Sequence, residues 1–80
     1  MEMLRSASRK VVGTKQVTRA LKAGKAARAY AANDADPFIF QQVVRAAEEA
    51  GVPCVRVATM KELGIVCGVE VPTAAAAVLR

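Results

Sequence analysis

The sequence predicts a layered α/β domain in which helices cover both faces of a central sheet. Three observations carry this. Short strand-like runs alternate with segments of helical period along the chain. At 80 residues there is room for one core, so residues 1–80 are expected to form a single domain. The composition is 54% hydrophobic with only 4% aromatic, so the core must be built from Val, Ile, Leu and much Ala, which suits thin layers in close approach.

A short basic helix or arm is expected at about Leu4 to Ser8, followed by a brief strand over Lys10-Val11-Val12 that Gly13 stops. Thr14 opens a helix running to about Ala23, because Val17, Ala20 and Leu21 fall at i, i+3 and i+4 and leave Lys15, Arg19 and Lys22 together on the opposite side. Gly24 ends it. Ala26 to Ala32 favours helix by alanine content, but Asn33-Asp34-Ala35-Asp36-Pro37 follows too closely for a useful helix, so it reads as a strand. Asp36-Pro37 is a strong helix start, since Asp caps free amides and Pro at the first helical position presets φ. Ile39, Phe40, Val43, Val44 and Ala47 then form an apolar stripe, closed by Gly51 before Pro53.

Val52 to Val57 is β-branched and reads as a buried strand. Thr59-Met60-Lys61-Glu62 has the spacing of a capping box, and the short helix behind it should end at Val66 or Cys67, before Gly68. Thr73 to Leu79 would be helical on propensity alone, yet a strand there would complete the sheet.

Charge narrows the function. The formal net charge is +5 with a pI near 9.8, which favours a polyanionic partner. Between Arg5 and Arg28 the sequence places Arg5, Arg9, Lys10, Lys15, Arg19, Lys22, Lys25 and Arg28 with no Asp or Glu, so this acid-free third of the chain is expected to be a binding surface. No stretch approaches the ~20 apolar residues of a membrane span, and Met1 to Lys10 lacks the apolar region of a secretory signal. Cys54 and Cys67, with no His in the chain, make neither a zinc cluster nor a CxxC pair; they are expected as reduced thiols buried as small hydrophobes in a cytoplasmic protein.

Catalysis is excluded by elimination. With no His the obvious base is missing, Asp34 and Asp36 are accounted for by turn formation and capping, and the adjacent Glu48 and Glu49 diverge on a helix surface. Gly13-Thr14-Lys15 lacks the glycine-rich approach of a phosphate loop. It still places a positive helix end beside Lys15 and Arg19, a combination that attracts phosphate oxygens or guanine acceptors. The second constellation is Leu63-Gly64-Ile65-Val66-Cys67-Gly68-Val69-Glu70-Val71, apolar, broken by two glycines and free of basic residues. Such a stretch is either core or, if exposed beside the helix at Thr14, a seat for an unstacked base.

Three segments in register, Gly13-Thr14-Lys15-Gln16-Val17-Thr18-Arg19-Ala20-Leu21, Ala32-Asn33-Asp34-Ala35-Asp36-Pro37, and Leu63 to Val71, resemble the kink-turn-binding ribosomal proteins of the L-seven-Ae and L-thirty-e type, the small bacterial members above all. The resemblance spans Val11 to Leu79. It implies a three-layer α-β-α sandwich with a mixed four-stranded sheet, and on that ground Thr73 to Leu79 is assigned as a strand. It implies that Gly13, Thr14, Lys15 and Gln16, with Arg19 and Lys22 behind them, meet guanines of sheared G·A pairs and the adjoining backbone in a sharply bent RNA. The loop residues Ile65, Val66, Val69 and Glu70 would cover a flipped-out base.

Archaeal relatives carry Asn-Glu where Lys15-Gln16 stands. Here Lys15 can donate to guanine O6 or N7, and Gln16 can donate and accept. The expected partner is thus structured RNA, a kink-turn within ribosomal or messenger RNA, with the ribosome as a setting, no membrane, no cofactor or metal, and a monomer as the working form. The competing expectation is a ribosome-associated scaffold or protein-interaction module that keeps the fold without kink-turn selectivity.

Overall fold

Eight elements alternate along the chain in the computed structural model, which describes residues 2–80: α1 (Glu2–Ser6), β1 (Lys10–Val12), α2 (Thr14–Lys22), β2 (Ala26–Ala32), α3 (Pro37–Ala50), β3 (Cys54–Val57), α4 (Met60–Cys67) and β4 (Ala75–Leu79). The strands form one sheet in the order β1-β4-β2-β3. β4 runs antiparallel to both β1 and β2, whereas β2 and β3 are parallel, so the sheet is mixed as expected.

The layers follow from which side chains share a core. On one face Val17 and Leu21 of α2 and Val43 and Ala47 of α3 pack on Ala29, Ala31, Ala75 and Ala77 of the sheet. On the other, Leu4 of α1 and Leu63, Val66 and Cys67 of α4 pack on Tyr30, Ala32, Ala76 and Val78. The central strands supply mainly small residues and the helices most of the large ones. Alanine removes the bulk that would hold a helix off the sheet, so interior packing density is reached with almost no aromatic mass. This arrangement overrides the helix propensity of β2 and β4: in β4, Ala75, Ala76 and Ala77 are fully buried between two hydrogen-bonded neighbours and two helical layers.

The boundaries differ from expectation in three places, each for a local reason. α1 lies earlier, at Glu2–Ser6, where Leu4 is buried and the Ser6 hydroxyl donates to the Glu2 carbonyl at 2.7 Å. β3 begins only at Cys54, because the Val52 amide donates to Ala47 and so belongs to the end of α3, and Pro53 has no amide to give. β4 begins only at Ala75, not Thr73, because the Thr73 amide donates to the Met60 carbonyl and so belongs to the segment packed along α4.

One pole of the sheet collects the ends that matter. There β1 leaves at Val12, β2 at Ala32 and β3 at Val57, while β4 enters at Ala75. Gly13, Asn33 and the residues before Ala75 therefore meet at this pole, tied by Gly13 N–H to Ala75 O at 2.9 Å, Ala32 N–H to Ala74 O at 2.9 Å and Asn33 N–H to Val57 O at 2.7 Å.

Candidate functional site

The start of α2 forms the first half of the site. Gly13 adopts φ 105° and ψ 144°, a conformation almost confined to glycine, and turns the chain from strand into helix with its carbonyl accepting from Val17 N–H at 3.0 Å. The next three amides, of Thr14, Lys15 and Gln16, have no intrahelical partner by construction. No side chain caps them, and the first turn contains no acid.

The starts of α3 and α4 are treated differently. In α3 the Asp36 carboxylate accepts from Phe38 N–H at 2.8 Å and Ile39 N–H at 3.4 Å. In α4 the Thr59 hydroxyl accepts from Glu62 N–H at 3.0 Å, and Asp34 Oδ1, reaching from the loop after β2, accepts from Met60 N–H at 2.8 Å. This is one half of the expected capping box; the return bond from Glu62 does not form among the described residues, and Asp34 serves that helix end instead. The positive end of α2 alone among these three carries no side-chain acceptor, with Lys15 and Gln16 exposed beside it and Thr14 half-buried.

Behind the tip, Lys15, Arg19 and Lys22 are exposed and line one shallow groove along α2, as the helical spacing requires. Thr18, between them in sequence, is turned inward, its hydroxyl donating to Thr14 O at 3.0 Å and Lys15 O at 3.2 Å. Arg5, Arg9 and Lys10 do not join this face, which corrects the expectation that the whole acid-free segment makes one binding surface. Arg5 lies on α1 across the sheet, Lys10 sits close enough to Cys67 to act on its thiol, and Arg9 donates to the Arg80 carbonyl at 2.9 Å at the far pole. A charge run in sequence is divided wherever the chain crosses a sheet.

The second half is built on α4 and the strap that returns from it to β4. The strap doubles back along the helix: Val69 N–H donates to Gly64 O at 3.0 Å and Thr73 N–H to Met60 O at 3.0 Å, with the Val71 carbonyl lying where a side chain on Gly64 would be. Lys61, Ile65, Val69, Glu70, Val71 and Pro72 line the resulting groove. Ile65 and Val71 are 65% and 66% exposed, high values for branched apolar side chains. Val66 is not part of this surface. It points into the core beneath, so the expectation that it reaches a base is withdrawn.

Lys61, Val71 and Pro72 were missed from sequence because the strap's path against the helix is a tertiary fact. The inward turn of Val66 was detectable, since Leu63, Val66 and Cys67 make an i, i+3, i+4 stripe that leaves Ile65 outside. The strap leads directly into Ala75, and Ala75 accepts from Gly13, so strap and helix tip leave the sheet at the same pole.

Asp34 and Asp36 are both occupied as caps, and no group of three or more His, Cys, Asp or Glu able to hold a metal occurs among the described residues. Cys54 packs on the α2–α3 side and Cys67 on the α1–α4 side, so the sheet separates them; burial pushes both thiols up from their ordinary value. Among the described residues no helix is long and apolar enough to cross a membrane.

The family model described as "Ribosomal protein L7Ae/L30e/S12e/Gadd45 family" matches residues 1–80. An RNA-binding protein of Geobacillus sp. (strain WCH70) is 49% identical over 79 residues, covering 99% of this chain and 96% of that protein. RNA-binding protein YbxF of Geobacillus stearothermophilus is 47% identical over the same shares. Among solved structures, the Giardia lamblia 15.5kD RNA binding protein matches with a TM-score of 0.84 at 30% identity, over 99% of this chain and 67% of that one.

Proposed function

Because the chain belongs to the ribosomal protein L7Ae/L30e/S12e/Gadd45 family, we propose that it is an RNA-binding protein, not an enzyme, and that it recognises and stabilises kink-turn RNA. The observation that carries this reading is the open, acid-free end of α2, exposed at the same pole as an apolar strap. Free amides and a dipole end offer donors to guanine acceptors or phosphate oxygens, and Lys15 and Gln16 extend them into a base edge. Arg19 and Lys22 neutralise backbone phosphates behind the tip and fix the register. Ile65, Val69 and Glu70, with Lys61, Val71 and Pro72, form the seat for a nucleotide expelled from the bend, since specific RNA recognition works on splayed bases.

The chain then acts by binding the kinked conformer better than the extended one and so shifting the RNA population towards it. Its RNA would be a kink-turn in ribosomal or messenger RNA, met in the cytoplasm on or near the ribosome, with the protein as a monomer. The test is a titration of a kink-turn hairpin against a straight duplex at matched salt. Lys15→Ala combined with Gln16→Ala is expected to weaken hairpin binding by about ten-fold or more, because each base contact is worth about 1–3 kcal/mol. Equal affinity of the wild-type chain for hairpin and duplex would instead favour the scaffold reading.

A further inference from the structure

We propose that the groove between α2 and α3 is a second RNA contact, taking unpaired nucleotides that flank the bent element; the proposal rests on the kink-turn reading for the position of that element. The chain has three aromatic residues. Tyr30 is buried in the core and Phe40 is half-buried beneath the Arg56 guanidinium, which stands 5.4 Å from its ring centre. Phe38 is different: on the first turn of α3 it is 78% exposed, a bare phenyl ring at the edge of a groove.

The same groove is lined by Lys22 and Arg45, two cations, and by Gln41 and Gln42, whose exposed amides can both donate to and accept from a base edge. Glu49 closes the end of the groove remote from Phe38 in α3, and its carboxylate disfavours phosphate there. A stacking ring between cations and amides matches the chemistry of single-stranded nucleic acid, where bases stack on aromatic faces and the backbone follows positive charge.

Two observations connect the groove to the helix tip. Lys22 lines both this groove and the Lys15–Arg19 groove, so the positive surface is continuous. Phe38 follows Asp36 just after β2 ends, at the pole where Gly13 opens α2. A strand leaving a bend held at Gly13 to Gln16 reaches Phe38 without crossing the sheet.

The experiment compares three RNAs by titration: a blunt kink-turn hairpin, the same hairpin with a short unpaired tail on either end, and a straight duplex. A tail should raise affinity about five-fold or more, Phe38→Ala should abolish that gain without changing binding of the blunt hairpin, and Phe38→Tyr should restore it. Arg45→Ala should lower the gain and weaken its salt dependence. If tailed and blunt hairpins bind alike while both outcompete the duplex, or if the gain survives Phe38→Ala, the groove proposal is overturned and the kink-turn reading stands. A Phe38-dependent gain with no preference for kink over duplex supports the groove and overturns that reading.

Discussion

Gly64 sits mid-helix, where glycine is normally unfavourable, and has no room for a methyl group because the Val71 carbonyl oxygen occupies the place. Gly64→Ala should therefore destabilise the fold by about 1–3 kcal/mol, as overpacking does, although alanine is the better helix former. Chemical denaturation measures the loss, and an unchanged or raised midpoint would refute the contact. The same change should lift the strap and weaken kink-turn binding more than duplex binding. The two cysteines give a second expectation. Burial raises both thiols above their ordinary 9.0, so the native state holds its thiol protons more tightly than the unfolded chain does. Stability should be insensitive to these groups at neutral pH and fall as pH rises above about 9. Denaturation at a series of pH values on wild type and Cys54→Ala/Cys67→Ala checks this: the slope in that window should flatten in the variant.

Capping separates the helices by role. Asp36 closes α3 from its own chain neighbourhood, whereas Asp34 closes α4 from 26 residues away. Asp36→Ala should cost about 0.5–2 kcal/mol, the usual range for a lost N-cap. Asp34→Ala should cost a similar amount but act at a distance, increasing amide hydrogen exchange at the start of α4 while leaving α3 protected. Exchange confined to the loop after β2 would show that the tertiary bond contributes nothing. Both start signals were legible as residue types in sequence, but only Asp36 could be assigned its helix. Asp34 was read as a turn residue because the parallel pairing of β2 with β3, which brings the loop after β2 beside the start of α4, is non-local.

Across the molecule, the acid-free third of the chain is distributed over both faces of the sheet, and Lys15, Arg19 and Lys22 remain as one exposed cluster. The salt dependence of RNA binding should reflect these few contacts, not all the basic residues. A plot of log affinity against log salt should have a slope of about −2 to −3, and Lys22→Ala should reduce its magnitude by about 1. A slope near −7 would show that the scattered cations engage RNA as well.

By itself the amino-acid sequence determined the periodicities, the caps at Thr59 and Asp36 and the glycine stops, because each depends on neighbours a few residues apart. It also held the family's three motifs, and with them the strand assignment of an alanine-rich end that propensity alone would make helical. Tertiary structure decided what lies side by side: that Val66 faces inward, that Lys61 and Pro72 share a groove, that Phe38 stands bare near the tip of α2, and that most basic residues are elsewhere. These depend on the order β1-β4-β2-β3, in which the last strand inserts between the first two and draws distant segments to one pole. Local spacing cannot encode that pairing, since its hydrogen bonds join residues more than forty positions apart, as Ala32 joins Ala74 and Gly13 joins Ala75.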